Sequence, residues 1–236
     1  MHHTASRFTL AAIALVVALP AAAQDTRIEA RESPRAWQLE LQLGGYYPEM
    51  SQGPAADVFR ESFGGSDRLL GELRLQRYVF QQFGTLGVGI SAGFTQFWGH
   101  NFFLDGDLAG ERSDDDDYVT IVPLQVFATY RFDVTSTRWD VPLVPYGRVG
   151  VGSWLWWSGD ENGAKLGFSY GGGLQLLLDV FDPRLAQEFD REVGVNNSFL
   201  YVDWMAWQAK WTGGFDEQGY DFSDDGILSF GLALEF

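Results

Sequence analysis

The sequence predicts an all-β fold: eight antiparallel strands in up-and-down order, closed into a transmembrane barrel. Three observations predict it. Alternation of apolar and polar residues with period two recurs in eight segments. The polar face of those segments is unusually rich in glycine, serine and charge. No segment beyond an N-terminal leader approaches the roughly 20 consecutive apolar residues that a membrane helix needs.

The leader comes first in the chain. Arg7 supplies a positive start, residues 10–19 (LAAIALVVAL) an apolar run too short to cross a bilayer, Pro20 a break, and Ala21, Ala22 and Ala23 a small-residue cleavage site. Residues 1–23 therefore read as a secretory signal peptide, and residues 24–236 as the mature barrel.

The strands follow in order. Trp37, Leu39, Leu41 and Leu43 alternate with Gln38, Glu40 and Gln42. Leu73 and Leu75 alternate with Glu72, Arg74 and Gln76. Leu86, Val88, Ile90 and Phe94 alternate with Gly87, Gly89, Ser91 and Gly93, and Leu124, Val126 and Tyr130 with Gln125, Thr129 and Arg131. Val149 and Val151 alternate with Arg148, Gly150 and Gly152; Tyr170, Leu174 and Leu176 with Gly171, Gly173 and Gln175. Leu200, Val202 and Trp204 alternate with Tyr201, Asp203 and Met205. The last segment sets Leu228, Phe230, Leu232, Leu234 and Phe236 against Ser229, Gly231, Ala233 and Glu235.

In a strand these sets lie on opposite sides of the sheet. A membrane barrel turns its apolar face to lipid and its polar face to the lumen. Eight strands leave a lumen that side chains can fill, so small residues belong there and charges must pair across it. The expected interior network is Arg74 and Arg148 against Glu40, Glu72, Asp203 and Glu235.

The connections divide into two sets. Residues 46–67, 99–117, 158–165 and 209–224 are acidic and together carry a net charge of −13. The other set is shorter except around residues 183–192, where Asp182 as N-cap, Pro183 at the first position and Gly194 past the end predict a helix. Long loops of membrane barrels face the exterior and short turns the periplasm. The acidic set is therefore expected outside, and the helix on the periplasmic side as a plug for the barrel's lower end or a contact site. Aromatic residues such as Trp98, Tyr118, Tyr130, Trp139, Trp157 and Trp211 fall near predicted strand ends, where interfacial girdles belong.

Two resemblances add to this reading. The C-terminal octet SFGLALEF, with Ser229, Gly231, Leu234 and Phe236 at the key places, resembles the signal read by the outer-membrane barrel assembly machinery. Residues 128–134, 138–157 and 171–204, with the terminal GLALEF, resemble a small outer-membrane β-barrel family of myxobacteria and relatives, over about half of the mature chain. That resemblance implies the fold and an outer-membrane location, and brings no catalytic residues. The implied partners are outer-membrane lipids, lipopolysaccharide and the assembly machinery.

Composition excludes several functions. The chain has no cysteine, hence no disulfide and no thiolate metal site. Of 16 basic residues Arg7 leaves with the leader, so 15 face 32 acidic ones, a poor match for nucleic acid. No cofactor is expected. His100 is the single histidine of the mature chain, and neither Ser91 nor Ser153 is paired with it by the sequence. Asp114, Asp115, Asp116 and Asp117, with Asp105 and Asp107 nearby, are the candidate ligands for a hard cation; the alternative is a solvated acidic loop. Three function classes stand: a structural or surface-interaction barrel without enzymatic activity, a barrel that takes up a small apolar molecule past Trp154, Trp156 and Met205, and a lipid A-modifying enzyme using His100.

Overall fold

The computed structural model describes residues 35–49, 63–102, 112–139, 141–159, 161–212 and 221–236. The leader expected over residues 1–23, with Asp105 and Asp107, lies outside them. The described chain forms one closed sheet in which every strand pairs antiparallel with its sequence neighbours and the last returns to the first. The strands are β1 (Trp37–Tyr46), β2 (Arg68–Gln81), β3 (Thr85–Phe102), β4 (Arg112–Arg131), β5 (Leu143–Ser158), β6 (Glu161–Leu177), β7 (Asn197–Thr212) and β8 (Asp224–Glu235). A short helix α1 (Val134–Arg138) lies between β4 and β5, and α2 (Pro183–Val193) between β6 and β7.

The barrel is inverted relative to a soluble protein. Large apolar residues face outward: Leu73 is 51% exposed, Val126 60%, Val151 61% and Phe230 65%. Charged residues are sealed inside, Glu40 at 0% and Asp203 at 1%. Exposed aromatic residues gather at both ends of the apolar band. Trp98, Tyr118, Trp157 and Trp211 mark the loop end; Phe83, Tyr130, Trp139 and Phe181 mark the end at which β1 begins and β8 finishes. Tyr118 and Tyr130 are twelve residues apart on β4, or about 40 Å of strand at 3.3 Å per residue. At the usual tilt of about 40° that covers roughly 30 Å, the thickness of a bilayer's hydrocarbon core.

Three expectations about connections are corrected. The loop expected over residues 99–117 is largely strand, with Gly99 opposite Asp117, His100 opposite Asp116 and Phe102 opposite Arg112. The loop expected over residues 158–165 is a tight hairpin turn, with Ser158 paired to Glu161 and Gly159 at φ +53, a left-handed geometry that suits glycine. Strand β7 continues to Thr212, into the segment expected to begin a loop at residue 209. At that end the polar sequence hid strands whose backbone ladders need no apolar face to form.

Helix α2 starts on Asp182, whose side chain accepts from the Leu185 N–H at 3.1 Å, and stops at Gly194 with φ 76. It has no buried residue, so it does not plug the barrel. The mouth beside it is closed by the barrel's own Gln38, Tyr78, Arg131, Val144, Phe199 and Glu235, all buried. Helix α1 had no strong signal, because Val-Thr-Ser-Thr is a weak helix sequence.

The seam between β1 and β8 explains the C-terminal residues. Phe236 exchanges backbone bonds with Trp37 (2.9 and 2.6 Å), and Leu234 pairs opposite Leu39. Ser229 accepts from the Gln42 amide at 2.5 Å across the seam. Gly231 sits so close to its neighbours that a Cβ there would lie 2.1 Å from the Leu41 carbonyl oxygen and 2.7 Å from the Tyr201 ring. Gly231→Val is therefore expected to abolish the compact, heat-modifiable form on denaturing gels, while Leu232→Val on the exposed face leaves it intact.

Candidate functional site

The lumen holds the concentrated chemistry of the described residues, in two layers. The layer nearer the start of β1 and the end of β8 is ionic. Arg74 donates to Asp203 at 2.8 Å and to Glu72 at 2.9 Å, and lies 3.6 Å from Glu40. Arg148 donates to both Glu40 oxygens at 2.8 Å, to the Thr129 hydroxyl at 2.9 Å, and lies 3.4 Å from Asp203. Its guanidinium also stacks over the Phe127 ring at 4.8 Å. The structure thus brings together Glu40, Glu72, Arg74, Arg148 and Asp203, five of the six residues expected to form the network.

The sixth, Glu235, is placed elsewhere. It pairs with Arg131 at 3.0 Å rather than with Arg74 or Arg148, and Arg35 at the mouth lies 4.0 Å away. Arg131 also donates to Gln38 at 2.9 Å and to the Tyr78 hydroxyl, and stacks over Phe199 at 4.9 Å. Two glutamines join the clusters: Gln76 donates to Gln38 at 3.0 Å and to Glu40 at 3.2 Å. The result is one column of four acidic residues (Glu40, Glu72, Asp203, Glu235) and four arginines (Arg35, Arg74, Arg131, Arg148). Arg131 was readable in the sequence as a lumen-facing residue of β4. Its partnership with Glu235 depends on how far the barrel shears before it closes.

The layer at the loop end is aromatic. Trp207 packs on Tyr46 at 5.2 Å and on Trp154 at 5.5 Å, Tyr46 on Phe97 at 5.9 Å, and Trp156 on Phe222 at 6.1 Å. Phe63 and Phe222, from the connections, are drawn in as caps, and the Tyr46 hydroxyl donates to the Phe222 carbonyl at 2.7 Å. Trp154, Trp156 and Met205, expected to line a ligand pocket, are at most 2% exposed and pack into this cluster. Lys165, read as a loop residue, is in fact 1% exposed on β6, opposite Trp154. Its own neighbours Lys-Leu-Gly-Phe fit a strand, but the polar run before it masked that.

The remaining candidates are placed by the backbone of their strands. Ser91 is on the inner face and nine residues from His100 on β3, about 30 Å of strand. Ser153 pairs with Leu124 and Leu166 on β4 and β6. Asp114, Asp115, Asp116 and Asp117 continue β4; among the other described residues no three His, Cys, Asp or Glu side chains form a metal-holding group. In the described lumen the arginines and carboxylates of the column pair with one another, and the Thr85 hydroxyl donates to Asp133 at 2.6 Å.

At the loop end, burial first and the Asp225 and Asp221 carboxylates next push the Glu49 carboxyl up from its ordinary value. A raised folded value means the native state takes up a proton more readily than the unfolded chain, so Glu49 favours the fold most in mild acid and that contribution is lost as pH rises through the folded value.

Removing one partner from the column strands buried charges. Arg74→Met is expected to lower stability by about 3–5 kcal/mol. Adding Asp203→Asn is expected to cost less than the two single changes summed, since both belong to one network. Urea unfolding in vesicles, followed by tryptophan fluorescence, measures both.

No family model matches the chain, and no curated protein matches it. Among solved structures it is similar to Neisserial surface protein A (11% identity, 85% of this chain and 97% of that one, TM-score 0.49). It is also similar to the attachment invasion locus protein Ail of Yersinia pestis (12%, 86% and 97%, TM-score 0.36) and to the N-terminal β-barrel domain of Pseudomonas aeruginosa OprF (13%, 84% and 97%, TM-score 0.33).

Proposed function

We propose that this chain is an outer-membrane barrel of the structural or surface-interaction type, which anchors an acidic loop surface at the cell exterior and is neither a channel nor an enzyme. The observation that carries the reading is the inverted packing. An outward apolar band bounded by two aromatic girdles fits lipid and is a liability in water. The ionic column and the aromatic cluster above it leave the described lumen filled with side chains, as expected of eight strands. That packing supports an anchor over an uptake route. The separation of His100 from Ser91 supports a non-enzymatic role.

On this reading residues 1–23 direct export. The C-terminal strand, with Ser229, Gly231, Leu234 and Phe236, engages the barrel assembly machinery. The outer band contacts membrane lipids, and the loop end meets lipopolysaccharide. The long connections of residues 47–67 and 213–223 then face outward, and α1 and α2 face the periplasm.

Two measurements test the reading. An epitope placed within residues 213–220 is expected to bind antibody on intact cells, and the protein to sediment with the outer membrane; recovery in the soluble periplasmic fraction overturns it. Val126→Arg, at mid-band, is expected to cost about 2–4 kcal/mol in vesicles, against about 0–1 kcal/mol for Trp98→Arg at the girdle. Equal costs at the two depths would contradict burial in a bilayer.

A further inference from the structure

We propose that α2 is an interfacial helix, lying with its apolar stripe in the lipid leaflet at the terminal end of the barrel. The proposal rests on the membrane reading above and adds a second, non-barrel contact with lipid.

The helix is well built but poorly covered. Asp182 caps its first turn, Pro183 occupies its first position, and Gly194 closes it with an N–H to the Asp190 carbonyl at 3.0 Å. Yet it is 11 residues long, and helices shorter than about 12–15 residues are marginal in water without an apolar face packed on something. None of its residues is buried. Leu185 (49% exposed), Phe189 (45%) and Val193 (67%) recur at four-residue spacing and form one stripe. Arg184, Gln187 and Arg191 fall on the opposite side of the helical wheel.

The stripe does not close onto the barrel. The helix packs lightly, on β7, and a groove of about 150 Å³ bordered by Leu178, Leu185, Phe189 and Val195 remains between helix and rim. What covers the stripe is indicated by continuity. The chain reaches α2 through Val180 (49% exposed) and Phe181 (70%), and other turns at the same end expose Phe83 (70%) and Trp139 (60%). This apolar rim extends the lipid-facing band of the strands, so the nearest apolar phase available to Leu185 and Phe189 is the leaflet that already covers that band. A short amphipathic helix with an apolar stripe and a polar back is suited to that plane. The helix carries more acidic than basic residues, so apolar burial and not attraction to anionic headgroups holds it there.

The absence of cysteine makes the test direct. Single variants Phe189→Cys, Val193→Cys, Gln187→Cys and, on the mid-barrel outer face, Val151→Cys are labelled with an environment-sensitive fluorophore. Each full mature chain is then refolded into vesicles of phosphatidylethanolamine and phosphatidylglycerol, with and without bromine on the acyl chains. The expected result is strong quenching by brominated lipid at Val151, Phe189 and Val193, with Gln187 losing little of its signal. If Val151 is quenched while Phe189 and Val193 behave like Gln187, the barrel is in the membrane but the helix is not, and the proposal falls alone. If Val151 is not quenched either, the membrane reading falls with it.

Discussion

A closed sheet of eight strands has an interior about one layer of side chains wide, and that narrowness governs the rest of this structure. Water cannot fill such a space as a bulk solvent, so each charge placed there must find its partner among the few residues at its own height. The column from Arg35 and Glu235 through Gln38 and Gln76 to Glu40, Arg74, Arg148 and Asp203 meets that demand. Arginine suits the task because its planar fork serves several acceptors at once, as Arg148 does with Glu40 and Thr129. Buried ion pairs give little net stability over apolar packing. Their use here follows from sidedness: with the apolar residues committed to the outside, polar residues are what remain to fill the axis.

The same narrowness accounts for the glycines. Tyr201 lies against Gly231 and the Tyr146 hydroxyl over Gly173, so the large inner side chains occupy the space that a Cβ on the neighbouring strand would take. Large and absent side chains therefore alternate around the wall. At the loop end the filling changes from ionic to aromatic, with Phe63 and Phe222 folded over the top. The two layers divide the work: the column fixes register between strands distant in sequence, as Arg74 does with Asp203 on β7, and the aromatic layer seals the column from water.

How much of this was legible in the sequence follows from which forces are local. Inside and outside were readable, because period two is a property of each strand alone; Glu40, Glu72, Arg74, Arg148 and Asp203 all fell on the lumen side. Partnership was readable only in part: Arg74 and Arg148 do pair with Glu40, Glu72 and Asp203, and Glu235 goes elsewhere. Glu235 meets Arg131 because of the shear with which β8 returns to β1, a global quantity that no single strand records. The strand ends at the loop end were also hidden. Asp114, Asp115, Asp116 and Asp117 look like loop, but beyond an apolar band a hairpin can continue on backbone bonds alone, as the pairing of Gly99 with Asp117 does. The helix was legible for the opposite reason: its caps at Asp182 and Gly194 are local chemistry. Its burial was not, since that depends on what lies beneath the barrel.

The extended β3–β4 hairpin bears on where the acidic residues of that end stand relative to the aromatic girdle. Phe102 is four residues beyond the girdle residue Trp98 on β3, and Arg112 six beyond Tyr118 on β4. Four residues are about 13 Å of strand, or roughly 10 Å of height at the usual tilt. At physiological ionic strength charges separated by more than about 8 Å of solution are largely screened. Neighbours among Asp114, Asp115, Asp116 and Asp117 are closer than that along β4, so charge accumulates on the strand within four residues of Tyr118. The shortest connection at that end, at Gly159, is also the least acidic of the four.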